Sequence, residues 1–140
     1  MGEGSDRDAV RACFSLGWPQ CPGDPSRGGA SIGDVITCDA PPTAGAHPAG
    51  LLLTACAASA DATDVAHRRR LFPTAVAEDM EGFGVAVACR LAGVPLAIVR
   101  GISNDAGDRD HGRWRIGPAL EAAAALAVTL LETTAGDSLR

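Results

Sequence analysis

From residue 51 onward, short apolar runs alternate with longer segments whose apolar residues recur at helical spacing. "LLLTACA" is an apolar run with polar flanks and reads as a buried strand. "SADATDVAHRRRL" offers Ser59 or Asp61 as an N-cap and closes on basic residues, the pattern of a helix. "TAVAE" reads as a second strand, and "MEGFGVAVACRLAG" as a helix, apolar on most sides, that Gly93 ends. "VPLAIVRGIS" reads as a third strand with Pro95 at its start, where a missing N–H matters least. After a loop through Trp114, "GPALEAAAALAVTLLETT" predicts a long Ala/Leu helix with Pro118 near its first turn. The order β-α-β-α-β-α predicts an α/β fold, a parallel sheet with helices on its faces.

The first fifty residues follow another pattern. "GWPQCPGDPSRGG" and "DAPPTAGAHPAG" are turn and loop signals, with one strand candidate between them, "GDVITCD" at residues 33–39. A compact domain rarely carries so much irregular chain. Residues 1–50 are therefore expected to be a loop-rich leader, and residues 51–140 the folded α/β part.

Composition narrows the class. The 140 residues suit one domain, and 46% are hydrophobic, yet only three are Phe, two Trp and none Tyr. Small side chains dominate, as in close-packed helix and sheet layers. A net charge of −5 gives no support to a nucleic-acid surface. The basic run Arg68–Arg70 reads as a solvated helix end. Five cysteines at irregular spacings contain no CxxC pair and no zinc pattern. Cys56 and Cys89 lie in apolar runs and read as small core residues. No apolar run looks long enough to span a bilayer, and no signal sequence opens the chain. The expectation is a cytoplasmic, soluble protein without membrane or nucleic-acid partners.

Two polar clusters stand out against this background. Glu78, Asp79, Met80 and Glu81 are expected just after the second strand, and Ser103, Asn104 and Asp105 just after the third. In an open parallel sheet, ligands bind outside the carboxyl ends of the strands, so both clusters would face one pocket. A carboxylate at Glu81 can accept two hydrogen bonds from a vicinal diol. Met80 offers a polarizable apolar surface for a sugar face. Asn104 presents an amide that both donates and accepts, and its N–H suits the N7/O6 edge of a 6-oxopurine. Together they describe a ribonucleoside site. The plainer alternatives are a helix cap at the first cluster and an ordinary turn at the second. Asp108, Asp110 and Gly112 hint at a calcium loop, but the residue order fails.

"AEDMEGFGVAVAC" followed by "GVPLAIVRGISN" resembles the C-terminal half of the nucleoside phosphorylase and nucleosidase superfamily. The M-E-G element and the R-x-I-S-[DN] element keep the superfamily's spacing. "GFGVA" and "GISNDAGDRDHGRWRIGPAL" look most like the futalosine hydrolase family of menaquinone biosynthesis. The resemblance covers about residues 51–132, with "SIGDVI" at 31–36 a weaker match. It implies a three-layer α/β/α fold, apparently truncated at the N-terminus. It also implies hydrolysis of an N-ribosidic bond, releasing hypoxanthine from a purine nucleoside, with no metal or organic cofactor.

Carried over by resemblance, Met80 and Glu81 would contact ribose, with Glu81 on the 2′ and 3′ hydroxyls. Asn104 falls where adenine-cleaving relatives place the acid that protonates the base; an amide can hold the base but cannot be that acid. Ser103 would shape the turn, and residues 55–59, including Ala58 and Ser59, would line the base pocket. Phe83 is a candidate for stacking, with core packing the alternative. The methylthioadenosine/S-adenosylhomocysteine-type nucleosidases carry S-D where this chain has Ser103-Asn104, which makes them the lesser alternative. A phosphorylase is disfavoured, since no phosphate-cradling loop accompanies Arg100.

The N-terminal residues match neither the family's acidic strand, which helps activate water, nor its glycine-rich stretch. Asp105 and Asp108 are the candidates to replace that carboxylate. The competing reading is a non-catalytic remnant or a nucleoside-binding half-enzyme. Either way an uncovered sheet edge predicts a homo-oligomer or a partner that completes the sheet.

Overall fold

The structure is a computed structural model and describes residues 19–23, 31–39 and 49–137. The sequence expectations that fall on residues 1–18, 24–30 and 40–48 lie outside the described residues. The chain divides into two compact units, Met1–Thr37 and Cys38–Arg140. In the first, Cys21 and Ile32 form an isolated antiparallel bridge, with Ile32 N–H donating to Cys21 O at 2.8 Å. Ile32 is buried, but Val35 is exposed. The strand expected at 33–39 does not form; pairing stops after the one bridge.

The second unit runs β1 (Leu51–Thr54), α1 (Ala62–Leu71), β2 (Ala75–Asp79), α2 (Gly82–Ala92), a 3-10 turn (His111–Arg113) and α3 (Ile116–Asp137). β1 and β2 pair in parallel, with Leu53 opposite Glu78 and Thr54 opposite Asp79. A parallel pair needs a crossover, and α1 supplies it. Asp61 caps α1 by accepting hydrogen bonds from the N–H groups of Thr63 and Asp64. α2 ends at Gly93, which takes the left-handed conformation at φ 66°.

The expected third strand is not a strand. Residues 94–103 make no ladder, and among the described residues the sheet has two strands. Pro95 has no N–H to give, and the N–H of Leu96 is taken by the Asp39 carboxylate at 2.9 Å. Leu96 O accepts from Asp39 N–H at 2.8 Å, so one backbone bond stands where a ladder was expected. The segment is held at its far end instead, where an ideal Cβ on Gly101 would run into the backbone of Ala119 in α3.

Burial is sparse. Ala86 and Ala119 are the buried apolar side chains among the described residues of this unit, while Leu91, Ile102, Leu120 and Leu131 stay exposed. Cys56 is exposed as well, contrary to its expected place in the core. β1 has ended at Thr54, so Cys56 falls in the turn that follows. A further difference concerns α3. Its Ile116–Thr134 span of 19 residues is long and apolar enough to cross a bilayer by length and composition. Glu121 and Glu132 hide this when the sequence is read as unbroken apolar runs. An alanine-rich core helix meets the same criterion.

The close approach at Gly101 sets a test. Gly101→Ala should destabilise the protein by about 1–3 kcal/mol, because backbone must move to admit the methyl group. Gly84→Ala, in α2 with nothing within 4 Å of its Cβ position, should stabilise by up to about 1 kcal/mol. Urea unfolding of both variants beside the parent reads the two opposite signs.

Candidate functional site

Because β1 and β2 are parallel, their carboxyl ends, Thr54 and Asp79, lie on the same edge. Asp79 organises that edge. Its Oδ1 accepts from Thr54 Oγ1 at 2.6 Å, and its Oδ2 from the N–H of Gly82 at 3.0 Å. Thr54 Oγ1 in turn accepts from Phe83 N–H at 2.9 Å, so two free N–H groups of α2 are satisfied. Arg100 then donates to Asp79 Oδ2 from Nε at 3.0 Å and from a terminal nitrogen at 2.8 Å. Only 8% of the Asp79 side chain is exposed. This ion pair brings residue 100 to the end of β2 without any strand pairing.

Glu78, the preceding residue, turns to other partners. Its Oε1 accepts from Ser59 N–H and its Oε2 from Ser59 Oγ, both at 2.8 Å. Arg68 of α1 donates to the same Oε2 at 2.5 Å and also to Ala57 O at 2.7 Å. Burial pushes the Glu78 carboxyl up, but the Ser59 backbone and hydroxyl bonds, then the Arg68 bond and charge, outweigh it. The group titrates below the ordinary glutamate value. A small cavity of about 90 Å³ lies against this cluster, lined in part by Ser59, Arg68 and Glu78. Glu78 and Asp79 thus belong to β2 and not to the loop after it, and Arg68 is a structural ion-pair partner, not a solvated helix end.

The loop from Ser103 to Arg115 is closed at its neck by Arg115 N–H donating to Ser103 O at 2.8 Å. Inside it, Ser103 Oγ donates to Asn104 Oδ1 at 2.6 Å, and Asn104 Nδ2 donates to the carbonyls of Asp105 and Asp108 at 3.0 and 3.4 Å. Trp114 Nε1 donates to the same Asp108 carbonyl at 3.0 Å. The Asp108 carboxylate accepts from Arg113 at 2.8 Å and from Asp110 N–H at 2.9 Å. Those bonds, with Arg113 first, hold the Asp108 carboxyl below the usual range. Gly107 has φ 83°, and a Cβ there would press on the backbone of Asp61. The loop tip can therefore rest against the start of α1. An open cavity of about 690 Å³ is lined by this loop, including Ser103, Asn104, Asp105 and Arg115.

The residues expected to form a site are partly gathered. Ser103 and Asn104 line the large cavity. Ser59 is buried, 1% exposed, with both its donors on Glu78, while Ala58 is exposed. Met80 and Glu81 are exposed where α2 begins and line neither cavity. The plainer reading of the first cluster as a helix cap holds at Asp79, which accepts from Gly82 N–H, while Glu81 makes no side-chain cap bond to α2. The role of Thr54 and the pairing of Arg100 with Asp79 were not foreseen. The R-x-I-S-N spacing could have shown Arg100, since it places a cation three residues before Ser103 on the same edge. Among the described residues no group of His, Cys, Asp and Glu could hold a metal ion.

A family model described as "Phosphorylase superfamily" matches residues 38–135. A futalosine hydrolase from Streptomyces coelicolor is 47% identical over 78 residues, which are 56% of this chain and 33% of the relative. Another from Acidothermus cellulolyticus is 54% identical over 52 residues, 37% of this chain and 21% of that protein. The chain thus spans a third or less of these curated relatives. No solved structure matches.

The Glu78 cluster has a pH signature. A carboxyl whose pKa is lowered by folding adds stability above its unfolded value, about 4.3. That stability drains away as pH falls through the folded value beneath it. Glu78→Gln should cost about 1.5–3 kcal/mol at pH 7, the range for hydrogen bonds to a charged group. Thermal unfolding from pH 7 to pH 3 should show the parent and the Gln variant converging below about pH 4.3. A gap of constant size across that range would remove Glu78 as the source.

Proposed function

Because this chain belongs to the phosphorylase superfamily, we propose that it serves as an N-ribosidic hydrolase of the futalosine hydrolase kind. It would release hypoxanthine from a purine nucleoside, futalosine, within menaquinone biosynthesis. The observation that carries this reading is the Asp79–Arg100 ion pair at 2.8 Å. It holds the end of β2, two residues before Glu81, beside the segment that leads into the Ser103–Asn104 cavity. That tie between two segments distant in sequence supports a site drawing on both clusters.

The roles follow from what each group has left to give. Glu81 is exposed, and its carboxylate would accept the 2′ and 3′ hydroxyls of ribose. Met80, 51% exposed, would lie under the sugar. Asn104 spends its amide hydrogens on loop carbonyls, but Oδ1 keeps a lone pair for an N–H of the base. Cleavage builds positive charge on the sugar and negative charge on the base, so an anion near the hydroxyls favours the transition state. Ser59 would act from the smaller cavity beside β2, where it is bound to Glu78. No cofactor is needed for this chemistry.

A second reading is favoured by the exposed apolar side chains of α2, α3 and the 94–103 segment. In it the chain binds a nucleoside as half of a site, and a second copy or another protein completes the sheet. One assay separates the two. Purified protein is incubated with futalosine, inosine and methylthioadenosine, with and without phosphate, and hypoxanthine or adenine release is followed. The hydrolase reading expects phosphate-independent release from futalosine, with kcat/KM lower by about tenfold to a hundredfold in Glu81→Gln. Folded protein that releases nothing from any substrate supports the half-site.

A further inference from the structure

The proposed hydrolysis needs a group to take a proton from water, and among the described residues the structure distinguishes the carboxylates of the two clusters and their loop. Glu78 is saturated by Ser59 and Arg68, and Asp79 by Thr54, Gly82 and Arg100. Asp108 is held by Arg113 and Asp110 N–H. Asp110 accepts from Gly112 N–H, lies 3.4 Å from Arg113 and does not line the large cavity. Asp105 does line it, and its carboxylate has no partner among the described residues. Its backbone, by contrast, is pinned. The Asp105 carbonyl accepts from Asn104 Nδ2 at 3.0 Å and from Asp108 N–H at 3.0 Å. A free carboxylate on a fixed backbone, one residue from the side chain assigned to the base, is what general-base work requires.

We propose that Asp105 is the catalytic residue that activates water in this site, an assignment resting on the hydrolase reading above. The oxygen of a water molecule forms a bond to C1′ of the ribose while its proton passes to the Asp105 carboxylate. The C1′–N bond breaks, and its electron pair leaves on the purine. Asp105 then returns the proton to a purine nitrogen. Water has added across the bond, and the carboxylate is restored without any other reactant. Asp108 also lines the cavity, but it is the weaker base, because Arg113 and the Asp110 N–H hold the charge on its Oδ1.

The test uses the full chain with futalosine and inosine, reading hypoxanthine release and, separately, nucleoside binding by calorimetry. Asp105→Asn should bind nucleoside like the parent and lose about 10²- to 10⁴-fold in kcat, the usual span for a general base. KM should stay within about threefold, since the loss is confined to the transition state. Formate should restore part of the activity of Asp105→Ala, which a merely structural role would not allow. Parental kcat in Asp105→Asn overturns the assignment and leaves the hydrolase standing. Parent protein that binds nucleoside but releases no hypoxanthine overturns Asp105 as a base while the binding site survives. Neither binding nor release removes the site itself, and Asp105's role with it.

Discussion

Two adjacent carboxylates at the end of β2 set the position of nearly everything else. Successive residues of a strand face opposite sides of the sheet, and Glu78 and Asp79 use this fully. Glu78 reaches Ser59 and Arg68, fixing the β1–α1 turn and the last turns of α1. Asp79 reaches Thr54, the start of α2 and Arg100. A charged group that is largely out of water must be paired and hydrogen-bonded, and each of these is. The two-stranded sheet is thus fastened to its helices by charge as much as by apolar packing. With Ala86 and Ala119 the buried apolar side chains described in this unit, the polar ties bear an unusual share.

The sequence showed α1, β2, α2 and α3 because each has a local signal. Asp61 caps one helix, Gly93 ends another, and Pro118 stands in the first turn of the third. What it could not show was partner choice. "VPLAIVRGIS" has strand composition, but a strand exists only where a neighbour's backbone answers it. Here Asp39 answers once, with its side chain taking the Leu96 N–H. Likewise Arg68 looks like any cation at a helix end until β2 brings Glu78 beneath it. The M-E-G and R-x-I-S-N elements marked the two segments that the Asp79–Arg100 pair ties together. The particular jobs of Thr54, Arg68 and Arg100 were not, since ion pairs between distant residues leave no periodic trace.

The uneven burial has a physical consequence. Leu91, Ile102, Leu120 and Leu131 are exposed together with Val85 and Val94, and each buried side chain of that size is worth about 1.5–3 kcal/mol. A unit of this kind gains most of its stability only when these surfaces are covered. On the half-site reading proposed above, covering these surfaces would also brace the proposed site, because the Asp79–Arg100 pair ties β2 to the segment before Ser103.

In the Ser103–Arg115 loop the amide of Asn104 acts as a brace. An acid at residue 104 could protonate a departing base, but Asn104 instead spends its donors on the carbonyls of Asp105 and Asp108. The loop is thereby braced from within, with Trp114 on the same carbonyl and Arg113 on the Asp108 carboxylate. Such bracing fixes the backbone from which Asp105 extends and leaves its carboxylate uncommitted. On the proposed reading the leaving group would be hypoxanthine, a 6-oxopurine, which carries departing charge better than adenine, so proton donation to the base would matter less. The proposed chemistry would then rest on water activation by a carboxylate whose backbone the amide at 104 holds in place.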